Sequence, residues 1–215
     1  MPGFSYKTSW LAVRERPVEA VADALGLAGR RAAGWDEGTD EAYRRGVYVV
    51  AARAGWTLAH GLHHLEPGFG PWTAGFPAWL AALSARLGEV QFFASHRGVH
   101  YVAWALARGG TLERAYAYTG DDEVVLAVGS PTPAERVLGV GAVPLDSWSE
   151  HEYDAFRASA GREEDVMHIA GAWSVGPDTL DEADVVTPGI WGEPARAGRA
   201  RPAWLRRLWD RTPGR

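Results

Sequence analysis

Between Glu89 and Pro131 the chain reads as one antiparallel strand after another, and this stretch limits the fold more than any other. Successive side chains alternate across a pleated backbone. Val102, Trp104 and Leu106 therefore point to one side, and Tyr101, Ala103, Ala105 and Ala107 to the other. Both sides are apolar, which predicts a central strand covered on both faces. Arg108-Gly109-Gly110 supplies residues that tolerate positive φ, and Thr111–Tyr118 then returns as a second strand. Thr119-Gly120-Asp121-Asp122 is a second turn by the same chemistry, and Glu123–Val128 is a third strand ending before Ser130-Pro131. Upstream, Val47–Arg53 and Trp56–His60 flank Ala54-Gly55 as a further hairpin.

Helices fall between these strands. Pro17–Leu25 opens on Pro, spaces Val18, Val21, Ala22 and Leu25 along one face and is followed by Gly26. Pro77–Leu87 repeats the design with Leu80, Leu83 and Leu87, then Gly88. Pro133–Leu138 is a short third helix, and Ser5–Val13 reads as an edge strand or an irregular arm. The order predicts an α+β fold: a mostly antiparallel sheet of about five to six strands, packed helices and a small C-terminal helical segment.

At 215 residues, 47% apolar and with eleven Trp, the chain has material for one core, expected over residues 1–194 with a basic tail at 195–215. No apolar run reaches the roughly 20 residues of a membrane span, and Met1–Arg16 lacks the order of a secretory signal. The expectation is a cytoplasmic protein without stable membrane association. The chain has no Cys, which removes disulfides, thiolate metal sites and cysteine nucleophiles together.

Charge is unevenly distributed. Between Pro144 and Pro194, twelve acidic residues face only Arg157 and Arg162, whereas from Ala195 onward seven Arg face only Asp210. Such an acidic segment is either a solvated surface or a face that docks a basic protein and steers its approach. In the tail, Trp204, Leu205, Leu208 and Trp209 share one helical face among arginines, a pattern suited to an anionic membrane surface or to folding back onto the acidic segment, the second being expected because so short a segment gives only marginal membrane affinity.

Several motifs fall short of a named chemistry. Glu163–Glu182 has the cadence of a helix-turn-helix, but Asp178, Asp181, Glu182 and Asp184 would meet phosphates with the wrong sign, so no nucleic-acid binding is expected. A helical pair packing Val166, Ile169, Trp173 and Leu180 on the sheet accounts for the pattern. His60, His63, His64, His96 and His100 have no spacing that enforces a metal site, and no metal or other cofactor is expected. There is no G-x-S-x-G elbow, Walker loop, GxGxxG or H-E-x-x-H, so no catalytic residue can be assigned.

The segments Gly55–Gly61, Leu83–Gly110, Arg114–Glu123 and Glu163–Glu182 resemble a bacterial family of single-domain proteins with no established activity. More loosely, a small acidic α+β protein rich in sheet aromatics resembles the immunity proteins that neutralise secreted toxins. That resemblance implies a non-enzymatic, immunity- or antitoxin-type module binding a basic toxin. Trp72, Phe76 and Trp148 would be its loop anchors, and Glu163, Glu164 and Asp165 part of its acidic face. The alternative is a small-molecule-binding protein or enzyme with a sheet-based pocket near His96, His100, Tyr116 and Tyr118.

Overall fold

The computed structural model describes Phe4, residues 7–62, Leu65, residues 73–119, residues 123–141, Phe156 and residues 159–194. Nine strands run along the chain: β1 (Thr8–Arg14), β2 (Leu27–Ala33), β3 (Val47–Ala52), β4 (Trp56–Gly61), β5 (Glu89–His96), β6 (Tyr101–Arg108), β7 (Thr111–Thr119), β8 (Glu123–Val128) and β9 (Val185–Pro194). They form one sheet in the order β2-β9-β3-β4-β1-β5-β6-β7-β8, and every neighbouring pair is antiparallel. The α+β class and the hairpins stand as expected, but the sheet is larger than the five to six strands the sequence predicts.

Beyond the five strands named from the sequence, β5 occupies the start of the Glu89–Pro131 stretch, and three further differences account for the extra width. β1, read as an edge strand or arm, is the fifth of nine, between β4 and β5. Its Trp10 and Ala12 enter one core and Leu11 and Val13 the other, so the strand is buried on both faces. β2 (LAGRRAA) and β9 (VVTPGIWGEP) carry Gly, Pro, Ala and Arg, residues with poor strand propensity, and each pairs through a register shift. Tertiary pairing overrides their local preference. The helical pair expected over residues 163–182 is one helix followed by single 3₁₀ turns at Pro177–Thr179 and Glu182–Asp184.

Among the described residues five helices cover the sheet on both faces: α1 (Val18–Ala24), α2 (Trp35–Arg44), α3 (Phe76–Leu87), α4 (Pro133–Leu138) and α5 (Glu163–Trp173). α1 and α3 bury Val21, Leu80, Leu83 and Leu87 against Leu11, Val49, Val90, Phe92 and the alanines of β6 and β7. On the opposite face α2 and α5 bring Trp35, Ala42, Val166, Ile169 and Ala170 onto Trp10, Tyr48, Phe93 and Trp104. Gly38 is what lets α2 sit so close, since a Cβ there would stand 2.3 Å from the Tyr48 ring.

A single row of rings crosses that second face. Trp191, Tyr48, His60, Trp10, Phe93, Trp104 and Tyr116 are successive cross-strand partners from β9 to β7. Trp10 stacks on Phe93 at 5.2 Å and Trp104 on Tyr116 at 4.7 Å. Pairs of this kind are worth about 0.5–1.5 kcal/mol each beyond their burial. The row ends at Arg31 of β2, whose guanidinium lies 4.9 Å from the Trp191 ring. It gains stacking at the expense of hydrogen bonds: Trp10 Nε1, both ring nitrogens of His60 and the Tyr116 hydroxyl are buried without a hydrogen-bond partner among the described residues.

Candidate functional site

One buried polar cluster is used up in holding the fold. Glu135 of α4 is fully buried and Arg114 of β7 nearly so. Glu135 Oε1 accepts from Arg114 Nε at 2.9 Å, Arg114 Nη2 at 2.5 Å and Trp104 Nε1 at 2.7 Å, while Oε2 accepts from Thr132 N and Thr132 Oγ1, each at 2.8 Å. Arg114 Nη1 donates to the carbonyls of Val128 and Gly129. Gly141 lies so close that a Cβ would stand 2.7 Å from Glu135 Oε1. A carboxylate holding this many donors is an anchor for α4, with little left to offer a substrate.

The residues nominated for a pocket do not share one. Tyr116 and Tyr118 lie buried on the sheet face, against Trp104 and Phe156 respectively. Burial raises the Tyr116 phenol far above its ordinary range. His96 closes β5, where burial lowers its pKa. His100 sits in the β5–β6 turn at φ 49°. There it lines an open depression of about 290 Å³ with Arg97, Tyr101, Val102, Gly161, Arg162, Glu163 and Glu164. The structure thus brings His100 to the acidic residues of α5 and leaves the two tyrosines beneath the helices.

Two of the three acids nominated on α5 serve the fold. Glu163 has a side chain only 11% exposed; it accepts from Ser95 Oγ at 3.2 Å and Arg97 N at 3.1 Å and pairs with Arg97 Nε at 3.3 Å, tying α5 to the end of β5. Asp165, at the third position of the helix, accepts from the Arg162 amide at 2.8 Å. Glu164 is exposed and forms no ion pair with a described residue. Phe76, expected as a loop anchor, is the first residue of α3 and is fully buried, edge-on to Phe92 at 4.9 Å. It belongs to the core because the helix begins one residue earlier than Pro77 suggests, which turns that ring under the sheet. Trp72 and Trp148 lie outside the described residues, as does the tail beyond Pro194.

Other carboxylates of the acidic segment are also engaged. Asp184 pairs with Arg53 Nη1 at 3.0 Å, and Arg53 Nη2 donates to Thr179 Oγ1 at 2.9 Å. Glu193 lies 3.6 Å from Arg45. What remains is an outward strip. Glu164, His168 and Gly171, at i, i+4 and i+7 of α5, present one exposed flank. Asp178 and Glu182 follow on the 3₁₀ turns, both exposed and neither in an ion pair with a described residue, whereas Asp181 between them caps the second turn, its Oδ1 accepting from Ala183 N at 2.8 Å. Beside them is a second depression of about 330 Å³, where Met167 and Val175 lie among Arg53, His168, Gly171, Asp178 and Thr179. Sequence alone gave no means of separating these free carboxylates from the capping and paired ones, because both kinds sit in the same acidic run.

His60, the most buried of the described histidines, lies between Phe4, stacked at 4.1 Å, and Tyr43, edge-on at 4.7 Å. β1 separates its strand from that of His96. Among the described residues no three His, Asp or Glu side chains approach as a metal set would require. No described helix is long and apolar enough to cross a membrane. Comparison of the chain with protein-family profiles, with curated proteins and with solved structures finds no match.

Proposed function

We propose that the protein is a non-enzymatic interaction module that receives a basic protein partner on the strip formed by Glu164, Asp178 and Glu182. One observation carries this reading. Within a segment whose other described acids cap helices or turns or pair with arginines, these three carboxylates are left outward and without an ion pair among the described residues, along one flank of α5 and the turns that follow it. Exposed charge of one sign raises encounter rates with a partner of the opposite sign. The adjoining depression, with Met167 and Val175 in its wall, is shaped to take an apolar side chain at the centre of such a contact. The class-level resemblance to immunity proteins supports a basic toxin as the partner.

The test is capture from a lysate of the native host with wild-type protein and with the variant Glu164→Gln, Asp178→Asn, Glu182→Gln. Unlike substitutions at Glu163 or Asp165, these three leave the helix cap and the tie to Arg97 intact. A basic protein retained by the wild type in stoichiometric amount and lost from the variant supports the reading. Equal retention by both, or a retained partner that is itself acidic, refutes it.

A further inference from the structure

The depression of about 330 Å³ beside α5 lies at the end of the sheet where Arg53 turns β3 into β4. The chain connections at that end, residues 15–17, 53–55, 88, 109–110, 129–132 and 174–184, are all described. Met167 and Val175, each 4% exposed, give the depression an apolar floor. The uncompensated charge of its rim is negative. Arg53 is taken up by Asp184 Oδ1 at 3.0 Å and Thr179 Oγ1 at 2.9 Å, whereas Asp178 forms no ion pair with a described residue. Asp178 also leans inward, since a Cβ on Gly176 would stand 2.8 Å from its Oδ1. α5 ends here with no basic residue in its last turn. The Ala170 carbonyl accepts from the Ser174 amide at 2.8 Å and the Ser174 hydroxyl at 3.2 Å, but no described amide beyond the helix reaches the Gly171 carbonyl. Carbonyls of a last turn point past the helix end and carry its negative pole.

Gly171 is a choice that the helix itself does not favour. It is the ninth of the eleven residues of α5 and is exposed, and glycine weakens a helix interior relative to alanine. A Cβ there would meet nothing nearer than the Gly176 amide at 3.9 Å, an ordinary contact, so packing does not demand a glycine. What the bare Cα leaves is room in the depression, beside an open carbonyl. From the apolar floor, the negative rim and this spared space we infer that the depression receives a lysine or arginine side chain. Its methylene stem lies over Met167 and Val175, and its cationic end lies between the Asp178 carboxylate and the carboxyl end of α5. An arginine fork meets both acceptors at once, and a lysine ammonium meets them as a point charge. The inference rests on the basic-partner reading for the protein that supplies this side chain.

Amide chemical shifts of the whole chain, titrated with the blocked tripeptides Ala-Arg-Ala, Ala-Lys-Ala and Ala-norleucine-Ala to about 20 mM, a range suited to millimolar contacts, read the outcome. The basic peptides should move the amides of Gly171, Ser174, Gly176 and Thr179 and saturate. The norleucine peptide keeps the stem without the charge and should bind about fivefold more weakly or worse. Asp178→Asn should weaken the arginine peptide by about threefold or more. Gly171→Ala should raise the melting midpoint by about 1–4 °C, and Gly171→Leu, which fills the depression, should abolish the shifts in a folded protein. Equal binding of the norleucine peptide, shifts that persist in Gly171→Leu, a midpoint lowered by Gly171→Ala, or no saturable shift in the wild type would overturn the inference. Gly171 is not one of the three acids of the strip, which separates the two claims. A captured basic partner lost from the Glu164→Gln, Asp178→Asn, Glu182→Gln variant but held undiminished by Gly171→Leu would leave the strip standing and refute the filled depression. Saturable arginine binding at the depression with no basic partner retained would do the reverse.

Discussion

At the scale of single residues the aromatic row shows where stability is vulnerable. Burial drops the His60 pKa from its ordinary value near 6.5 to about 3, so the folded state requires the neutral ring. Stability from this residue is fully present above pH 6.5 and is lost as pH falls toward 3, because the unfolded chain takes up the proton first. The full difference corresponds to roughly 4–5 kcal/mol. His60→Phe keeps a ring for Phe4 to stack on and removes the titration. Urea denaturation at pH 7 and at pH 4.5 should show a large acid loss in the wild type and a smaller one in the variant; equal losses would mean that His60 is not the acid-sensitive group. Much at this scale was legible in the sequence: Trp104 and the both-sided burial of its strand were expected and are found. The hidden part was which acids are spent. Glu163 and Asp165 look like Glu164 on the page, and only the placement of Arg97 and of the α5 amino terminus separates them.

Among the described elements, α4 is the shortest α-helix, and it is held by the buried Arg114–Glu135 anchor. Removing one member of a buried pair strands the other's charge, at a cost of about 3–5 kcal/mol. Arg114→Met should therefore be costly alone, and Arg114→Met with Glu135→Leu should cost less than the sum of the two single changes. Strict additivity in chemical denaturation would show that the two side chains are not coupled. β1 offers a second test. A terminal arm could be removed cheaply, but a strand between β4 and β5 cannot, since its loss leaves both without a partner. Deletion of residues 1–14 should abolish cooperative unfolding and near-ultraviolet circular dichroism; a truncated protein that folds would put β1 back at the edge. The hairpins β3–β4 and β6–β7–β8 were legible because turn chemistry and alternation agree there. β2 and β9 were not, because their strand state is imposed by partners far along the chain and not by their own residues.

The whole molecule is an antiparallel sheet roofed by helices on both faces. Its chemistry-bearing residues divide into those that hold this arrangement and those left outside it. The central claim concerns the second group, and association kinetics with a captured basic partner address it directly. Raising ionic strength from about 0.05 to 0.5 M shortens the screening length severalfold. The association rate should fall by about tenfold or more while dissociation changes little, since peripheral charges act mainly on encounter. The variant Glu164→Gln, Asp178→Asn, Glu182→Gln should begin slow and lose most of that salt dependence. An association rate that ignores both salt and the three substitutions would contradict the assignment of this strip as the docking surface.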